Sequence, residues 1–246
     1  MKRNRVNKIL SGIVGITLST FVLLSGCSVN YVSLEEEYPA ASEQSSSDAE
    51  QHAVDTTAWN LVLVNFAHRI EDDYAVKTKQ IPGGQYVDER IYDAVVQMLE
   101  DCEAEGYYPG VSSAYRDVQW QTELYNLEVQ EQLAFGYPRE EAVRRAKMEV
   151  AEPGTSEHHT GLALDMIADG NVSLEEYFED TDVGKWLANN AYKYGFILRF
   201  PKGKEDITGV IYEPWHFRYV GKEAAKEITE RGICLEEYLG IIDNVE

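Results

Sequence analysis

Basic side chains are scarce in this sequence. Its 246 residues hold 22 Lys and Arg against 43 Asp and Glu, a formal charge of −21 at pH 7. Lys2, Arg3, Arg5 and Lys8 all fall within residues 1–26, which contain no acid, so the rest carries 18 basic against 43 acidic groups, or −25. Such a surface repels phosphates, and nucleic acid is excluded as a partner. Long unbroken apolar runs are missing too. The stretch from Ile9 to Leu24 is interrupted by Ser11, Gly12, Gly15, Thr17, Ser19 and Thr20, a poor permanent membrane span. Cysteine is limited to Cys27, Cys102 and Cys234. No internal repeat is visible.

The N-terminus reads as a targeting segment. Basic residues precede a short apolar core that ends in Leu24-Ser25-Gly26-Cys27, the pattern of a secretory signal peptide over residues 1–26. The small residues before Cys27 resemble a bacterial lipobox, which implies lipidation of Cys27 and an extracytoplasmic protein anchored to the cell membrane by lipid. Residues 27–57 follow, rich in Glu35-Glu36-Glu37 and Ser45-Ser46-Ser47 and poor in large apolar groups. Burial there cannot offset the entropy of ordering, so this segment is expected to be a flexible polar tether. Residues 58–246 remain as one domain, large enough for a sizeable core.

Within that domain the pattern predicts α+β: helices packed on a small, mainly antiparallel sheet. Ile91, Val95, Met98 and Cys102 recur at the helical period, with Asp88 as N-cap and Gly106 past the end. Cys102 on that apolar face reads as a buried thiol, and the same is expected of Cys234, although export permits a disulfide. A strand is predicted over residues 107–114, and Asp117 is expected to cap a helix carrying Trp120, Leu124, Leu127 and Leu133. Pro138 falls in the first turn of another helix, running to about Val150. Strands are expected at 162–167, 196–200 and 215–220, with helices over 182–193 and 222–231.

Two short segments carry the chemistry. Ser156-Glu157-His158-His159-Thr160-Gly161-Leu162-Ala163-Leu164-Asp165 and Glu213-Pro214-Trp215-His216 supply two imidazoles and a carboxylate as candidate ligands: His158, Asp165 and His216. Three protein ligands leave one position of a tetrahedral zinc free, the arrangement of catalytic sites. Calcium and magnesium favour all-oxygen shells, so one zinc ion fits this donor set better. On a straight strand His158 and Asp165 would stand about 23 Å apart and on opposite faces, so a turn at Gly161 is required. Pro214 fixes φ and is expected to kink the chain so that Glu213 and His216 face one cavity. Glu213 is then the candidate general base. His159 lies in the same loop and competes with His158 for the ligand role, whereas His52 and His68 stand alone and read as surface or satisfied side chains.

The spacing Ser156-x-His158-x-x-Gly161-x-Ala163-x-Asp165 with Glu213-x-Trp215-His216 resembles the VanY-type D-alanyl-D-alanine carboxypeptidases, zinc peptidases that trim bacterial wall peptides. Ser112-Ser113-Ala114-Tyr115-Arg116, with Gln121 and Leu124-Tyr125, is similar to a second block of that family. The runs Trp59 to Asn65 and Tyr194 to Pro201 are similar as well, so the resemblance covers roughly residues 58 to 222. It implies His158 rather than His159 as ligand and His159 as a pocket group. It also implies Arg116 as partner of a substrate C-terminal carboxylate, with Ser113, Gln121 and Ser156 as further substrate contacts. The implied activity is removal of the terminal D-alanine from peptidoglycan stem peptides by metal-activated water.

Three other functions compete with that expectation. An L,D-carboxypeptidase acting on tetrapeptide stems has a similar sequence. A non-catalytic wall-binding lipoprotein would retain the domain without its chemistry, but all three ligands and the base are present. A dipeptidase fits poorly, since export separates the protein from a cytoplasmic dipeptide pool. Nothing demands an oligomer, and a monomer is expected.

Overall fold

Four short strands and the turns between them decide where the chemistry sits. In this computed structural model, residues 55–71, 74–168, 170 and 174–243 are described. The assignments of residues 1–26 as signal peptide, Cys27 as lipidation site and 27–54 as tether therefore lie outside the described residues. No helix among the described residues is long and apolar enough to cross a membrane.

The main sheet contains β3 (Pro109–Ser113), β4 (Ala163–Ala168), β5 (Phe196–Leu198) and β6 (His216–Tyr219), in the order β3-β4-β6-β5 with every pair antiparallel. A separate hairpin, β1 (Thr78–Gln80) and β2 (Tyr86–Asp88), precedes it. The helices are α1 (Tyr92–Ala104), α2 (Val118–Ala134), α3 (Arg139–Glu149), α4 (Asp182–Asn190), α5 (Glu205–Thr208), α6 (Lys222–Arg231) and α7 (Leu235–Leu239). This is the α+β arrangement that the sequence predicts.

Side-chain alternation along the strands creates two unlike faces. Leu164, Met166, Phe196 and Phe217 enter one core with Val95, Met98 and Cys102 of α1 and Val183, Trp186 and Leu187 of α4. Burying each large side chain is worth roughly 1.5–3 kcal/mol, so this face supplies much of the driving force. On the opposite face Ile197 packs with Leu61, Ile228 of α6 and Leu235 of α7. Asp165, His216 and Arg218 share that second face with it, since Asp165 pairs with His216 and Ile197 with Arg218.

Several boundaries follow the expected caps. The Asp88 side chain accepts from the Arg90 amide, starting a single 3-10 turn over Glu89–Ile91 that leads into α1. Asp117 accepts from the Trp120 amide at 2.7 Å. Residues 182–193 divide into α4 and a 3-10 turn, Ala191–Tyr194, closed by Gly195 at φ 93°. The buried face of α2 is Gln121, Val129 and Gln132, while Trp120 and Leu127 are exposed. Cys102 and Cys234 are separate buried thiols, as expected.

Candidate metal centre and active site

His158 is placed by a 3-10 turn, Glu157–Thr160, that ends in left-handed Gly161 at φ 68°. A Cβ there would sit 2.8 Å from the Asp88 amide nitrogen, so the reversal before β4 needs glycine. That reversal returns the chain so that Asp165, on β4, faces His158. Asp165 and His216 are register partners across β4 and β6, which puts both side chains on one face. Glu213 reaches the same point through a turn in which the His216 amide donates to the Glu213 carbonyl at 3.1 Å. Pro214 occupies the second position of that turn, where its fixed φ is favoured.

The ligand atoms converge. His158 Nε2 lies 3.2 Å from Asp165 Oδ2, and His216 Nδ1 lies 3.0 Å from Asp165 Oδ1. One atom from each of the three residues falls within 4.8 Å of the others, and all three side chains are buried. His158 Nδ1 stands 2.6 Å from the Ala114 carbonyl, which only accepts, so Nδ1 carries the proton and Nε2 presents a lone pair. That buried Nε2 has no hydrogen-bond partner among the described residues, and with the proton on Nδ1 it cannot donate to the Asp165 oxygen beside it. An inward-facing imidazole lone pair beside a carboxylate fits a divalent cation, and two nitrogens with one oxygen fit zinc.

The titration behaviour agrees with that fit. Burial, aided by the Arg116 charge, lowers His158 to about 4, so the ring is neutral at pH 7, as a ligand must be. His216 moves the other way despite burial: the Asp165 and Glu157 carboxylates beside it raise it to about 9. A proton and a cation therefore compete for the same edge of that ring. Burial opposes ionisation of Asp165, but the two histidines hold it well below the usual carboxylate range.

Glu213 is the fourth member. Its carboxylate is 3.5 Å from His216 Nδ1, and burial pushes it up to about 8. A carboxyl group in that range accepts and returns a proton near neutral pH. Arg116 follows β3, with its amide donating to the His158 carbonyl at 3.1 Å and its Nη2 lying 3.8 Å from Asp165 Oδ2. Its Nε is buried without a partner among the described residues, so the fork has donor capacity to spare beside the candidate ligands.

The other sequence-derived candidates occupy distinct places. Ser113 is the register partner of Asp165, after an irregularity between Val111 and Ser113 in the β3–β4 pairing. Ser156 caps the 3-10 turn, its Oγ accepting from the His158 amide at 3.4 Å. Gln121 is buried on α2 and donates to the Ala151 carbonyl at 2.7 Å, leaving its Oε1 unpartnered among the described residues. His159 uses both nitrogens on backbone, donating Nδ1 to the Arg116 carbonyl at 2.7 Å and accepting from the Gly154 amide at 3.1 Å. It is thereby removed from the ligand competition, and it lines a polar cavity with Arg69, Tyr74 and Tyr115. Trp215 packs in the core beside the site.

One buried group behind the site went unread in the sequence. Glu157 Oε1 accepts from Arg199 Nε and Arg218 Nη1, each at 2.7 Å, and Arg199 reaches on to Glu236 at 2.6 and 2.9 Å. Burial opposes ionisation of Glu157, but the two guanidinium groups override it and hold its carboxyl far below its ordinary value. A signal existed. Arg199 and Arg218 interrupt apolar strand sequences, and an inward arginine on a strand demands a buried anionic partner.

With this geometry in view, comparison with known proteins is direct. The family model for VanY, D-alanyl-D-alanine carboxypeptidase, matches residues 84–222. A D-alanyl-D-alanine carboxypeptidase of Enterococcus faecalis is 44% identical over 185 residues, covering 75% of this chain and 67% of that protein. A VanY D,D-pentapeptidase from a VanB-type vancomycin-resistance cassette, crystallised as a point mutant with Zn(II), superposes with a TM-score of 0.68. It is 44% identical, and the match covers 74% of this chain and 99% of that one. The L,D-carboxypeptidase LdcB gives a TM-score of 0.62 at 38% identity, covering 75% of this chain and 88% of that one. The matched span runs from the β1–β2 hairpin to the start of α6 and contains every candidate ligand, the buried glutamate and Arg116, so this chain belongs to the VanY D-alanyl-D-alanine carboxypeptidase family.

Proposed function

We propose that this protein is a zinc-dependent D-alanyl-D-alanine carboxypeptidase that removes the C-terminal D-alanine from peptidoglycan stem peptides. The observation that carries the reading is the convergence of His158, Asp165 and His216 on one point, with the Glu213 carboxylate beside them. His158 Nε2, an Asp165 oxygen and His216 Nδ1 would hold the ion. When bound, zinc supplies Lewis acidity, polarising the scissile carbonyl and acidifying water.

The chain's own groups do the rest. Glu213 takes the proton of the attacking water and returns it to the amine of the departing D-alanine. The peptide C–N bond breaks, a C–O bond forms, and the carboxyl group ends up with its proton balance restored. Arg116 pairs with the free carboxylate of the substrate through its planar fork, which fixes the chain end and disfavours internal peptide bonds. Ser113, Gln121 and Ser156 are the further polar contacts in this reading.

A lipid on Cys27 would hold the mature protein outside the cell membrane, with residues 27–57 as the tether that lets the domain, a monomer, reach the wall. A second reading is an L,D-carboxypeptidase on tetrapeptide stems, favoured by the 38% identity to LdcB. The test is to incubate the purified protein, zinc-loaded or chelator-treated, with a stem pentapeptide ending in D-Ala-D-Ala and with the tetrapeptide, and to weigh the products. Loss of one alanine from the pentapeptide, abolished by chelation and restored by zinc, is the expected result. Cleavage of the tetrapeptide alone would replace it with the second reading.

A further inference from the structure

Two buried polar atoms behind the centre face one another without partners. His216 Nε2 and Glu157 Oε2 both lack hydrogen bonds among the described residues, and they stand 3.6 Å apart. Everything else about Glu157 is fixed. Its Oε1 accepts two guanidinium bonds at 2.7 Å, from Arg199 and Arg218. Arg199 is gripped in turn by both oxygens of Glu236, at 2.9 and 2.6 Å. Glu236 accepts from Asn65 at 3.2 Å, and Arg218 donates to the carbonyls of Asn60 and Val62 at 3.2 and 2.7 Å. The carboxylate cannot swing away, and Oε2 is the oxygen left to face the ring.

From this we infer that Glu157 is a positioning residue for His216: its Oε2 accepts the Nε2 proton and so turns the Nδ1 lone pair toward the metal. The inference rests on the zinc reading of the site. It follows from what an imidazole requires. A neutral ring carries one proton, and the nitrogen that keeps it decides which edge is left to ligate. Nδ1 is the edge that faces Asp165, at 3.0 Å, and Glu213, at 3.5 Å. Nε2 must then hold the proton, and among the described residues the acceptor placed to receive it is Glu157 Oε2. The 3.6 Å gap is longer than a hydrogen bond, and a ring shift of roughly half an ångström closes it. Histidine ligands generally bond through their second nitrogen in this way, and losing that partner costs about 10- to 100-fold in metal affinity.

The conservative variant has a directed consequence. In Glu157→Gln the amide oxygen must stay with the two arginines, which only donate. The amide NH2 then faces His216 Nε2, and a donor opposite Nε2 moves the ring proton to Nδ1, the edge needed for the ion. Glu157→Asp keeps an acceptor on the correct side, though set further back.

The experiment uses full-length protein labelled with 15N-histidine, with His52, His68 and His159 replaced singly to assign the ring signals. Zinc binding is measured by competition with a chromophoric chelator, and tautomers by long-range 1H–15N correlation. Wild type is expected to bind zinc with His216 protonated on Nε2. Glu157→Gln should bind about 10- to 100-fold more weakly with the proton on Nδ1, and Glu157→Asp should recover part of the loss. An Nδ1-protonated His216 in wild type overturns the inference even where the variant fails to fold. So does a folded Glu157→Gln with unchanged zinc affinity and tautomer, a result that leaves the zinc reading standing. A wild-type protein that takes up no zinc overturns both.

Discussion

Asp165 and His216 are directly opposed across β4 and β6, with 3.0 Å between Oδ1 and Nδ1. Two of the three candidate ligands are thus set by the register of one antiparallel pair. A one-residue slip would send both to the apolar face, and Leu164 and Phe217 would replace them at the site. Leu164 and Phe217 are themselves register partners in the main core, so the packing that stabilises the sheet also enforces the geometry of the site. Ser113 extends the row onto β3, after the irregular step that follows Val111. Such irregularities re-aim side chains next to active sites.

Replacing Glu213 by Gln should separate chemistry from metal binding. The amide keeps the volume but cannot take a proton, so kcat should fall by about 10²- to 10⁴-fold. Zinc content, measured by elemental analysis of the dialysed protein, should remain near that of wild type if Glu213 acts as base and the ion rests on the three candidate ligands. Full turnover by this variant would remove the base assignment.

Arg116 should govern recognition of the chain end. Charge-assisted hydrogen bonds contribute about 1.5–3 kcal/mol, so Arg116→Ala should lose roughly 10- to 100-fold in kcat/KM on a free-acid peptide. Wild type should also discriminate sharply against the same peptide ending in a carboxamide, and the variant should lose most of that preference. Equal discrimination by both proteins would place carboxylate recognition elsewhere.

How much of this was legible beforehand divides along physical lines. Helix α1 announced itself through apolar periodicity and a glycine past its end, and α6 runs from Lys222 to Arg231 as expected, closed by Gly232. The three candidate ligands were legible as a group because metal chemistry restricts residue type and spacing, and the structure brings them together. The β1–β2 hairpin was not, since its strands are three residues long and the first is wholly exposed, too short for any period to register. The four-residue α5 and five-residue α7 escaped for the same reason. The α2 face was misleading in a different way. Trp120 and Leu127 look like core, yet the helix buries Gln121 and Gln132 toward α3 and the loop before the site. The ion network of Glu157, Arg199, Arg218 and Glu236 joins four separate parts of the chain; the two arginines signal that a buried acid is needed, but no local pattern says which acids they meet.

That network should dominate the stability of the sheet's second face. Arg199 is fully buried between Glu157 and Glu236, so Arg199→Met strands a buried carboxylate. Removing one member of such a pair costs about 3–5 kcal/mol. Chemical denaturation should therefore show a large drop in midpoint for Arg199→Met. Adding Glu236→Leu should recover part of it, because the unpaired charge goes with it. A double variant no better than the single one would mean that Glu236 contributes nothing through Arg199.

The two thiols set an alkaline limit. Burial raises Cys102 to about 12, with Glu105 and Glu103 adding to the shift, and burial likewise raises Cys234 to about 12. In the unfolded chain both ionise near 9.0, so above that pH the unfolded state has released protons that the folded state still holds. Stability rises with pH wherever the unfolded state binds more protons, and here the reverse holds. The thiol contribution is thus fully present below pH 9 and is lost progressively as pH climbs from 9 toward 12. Tyrosines with raised values, Tyr194 and Tyr212 among them, act in the same direction, so the cysteine share must be isolated by difference. Urea midpoints for wild type and Cys102→Ala/Cys234→Ala, followed from pH 8 to 11, should fall more steeply for wild type. Parallel slopes would show that the thiols ionise alike in both states, and rapid labelling of the native protein by a thiol reagent at pH 8 would locate the reason in their accessibility.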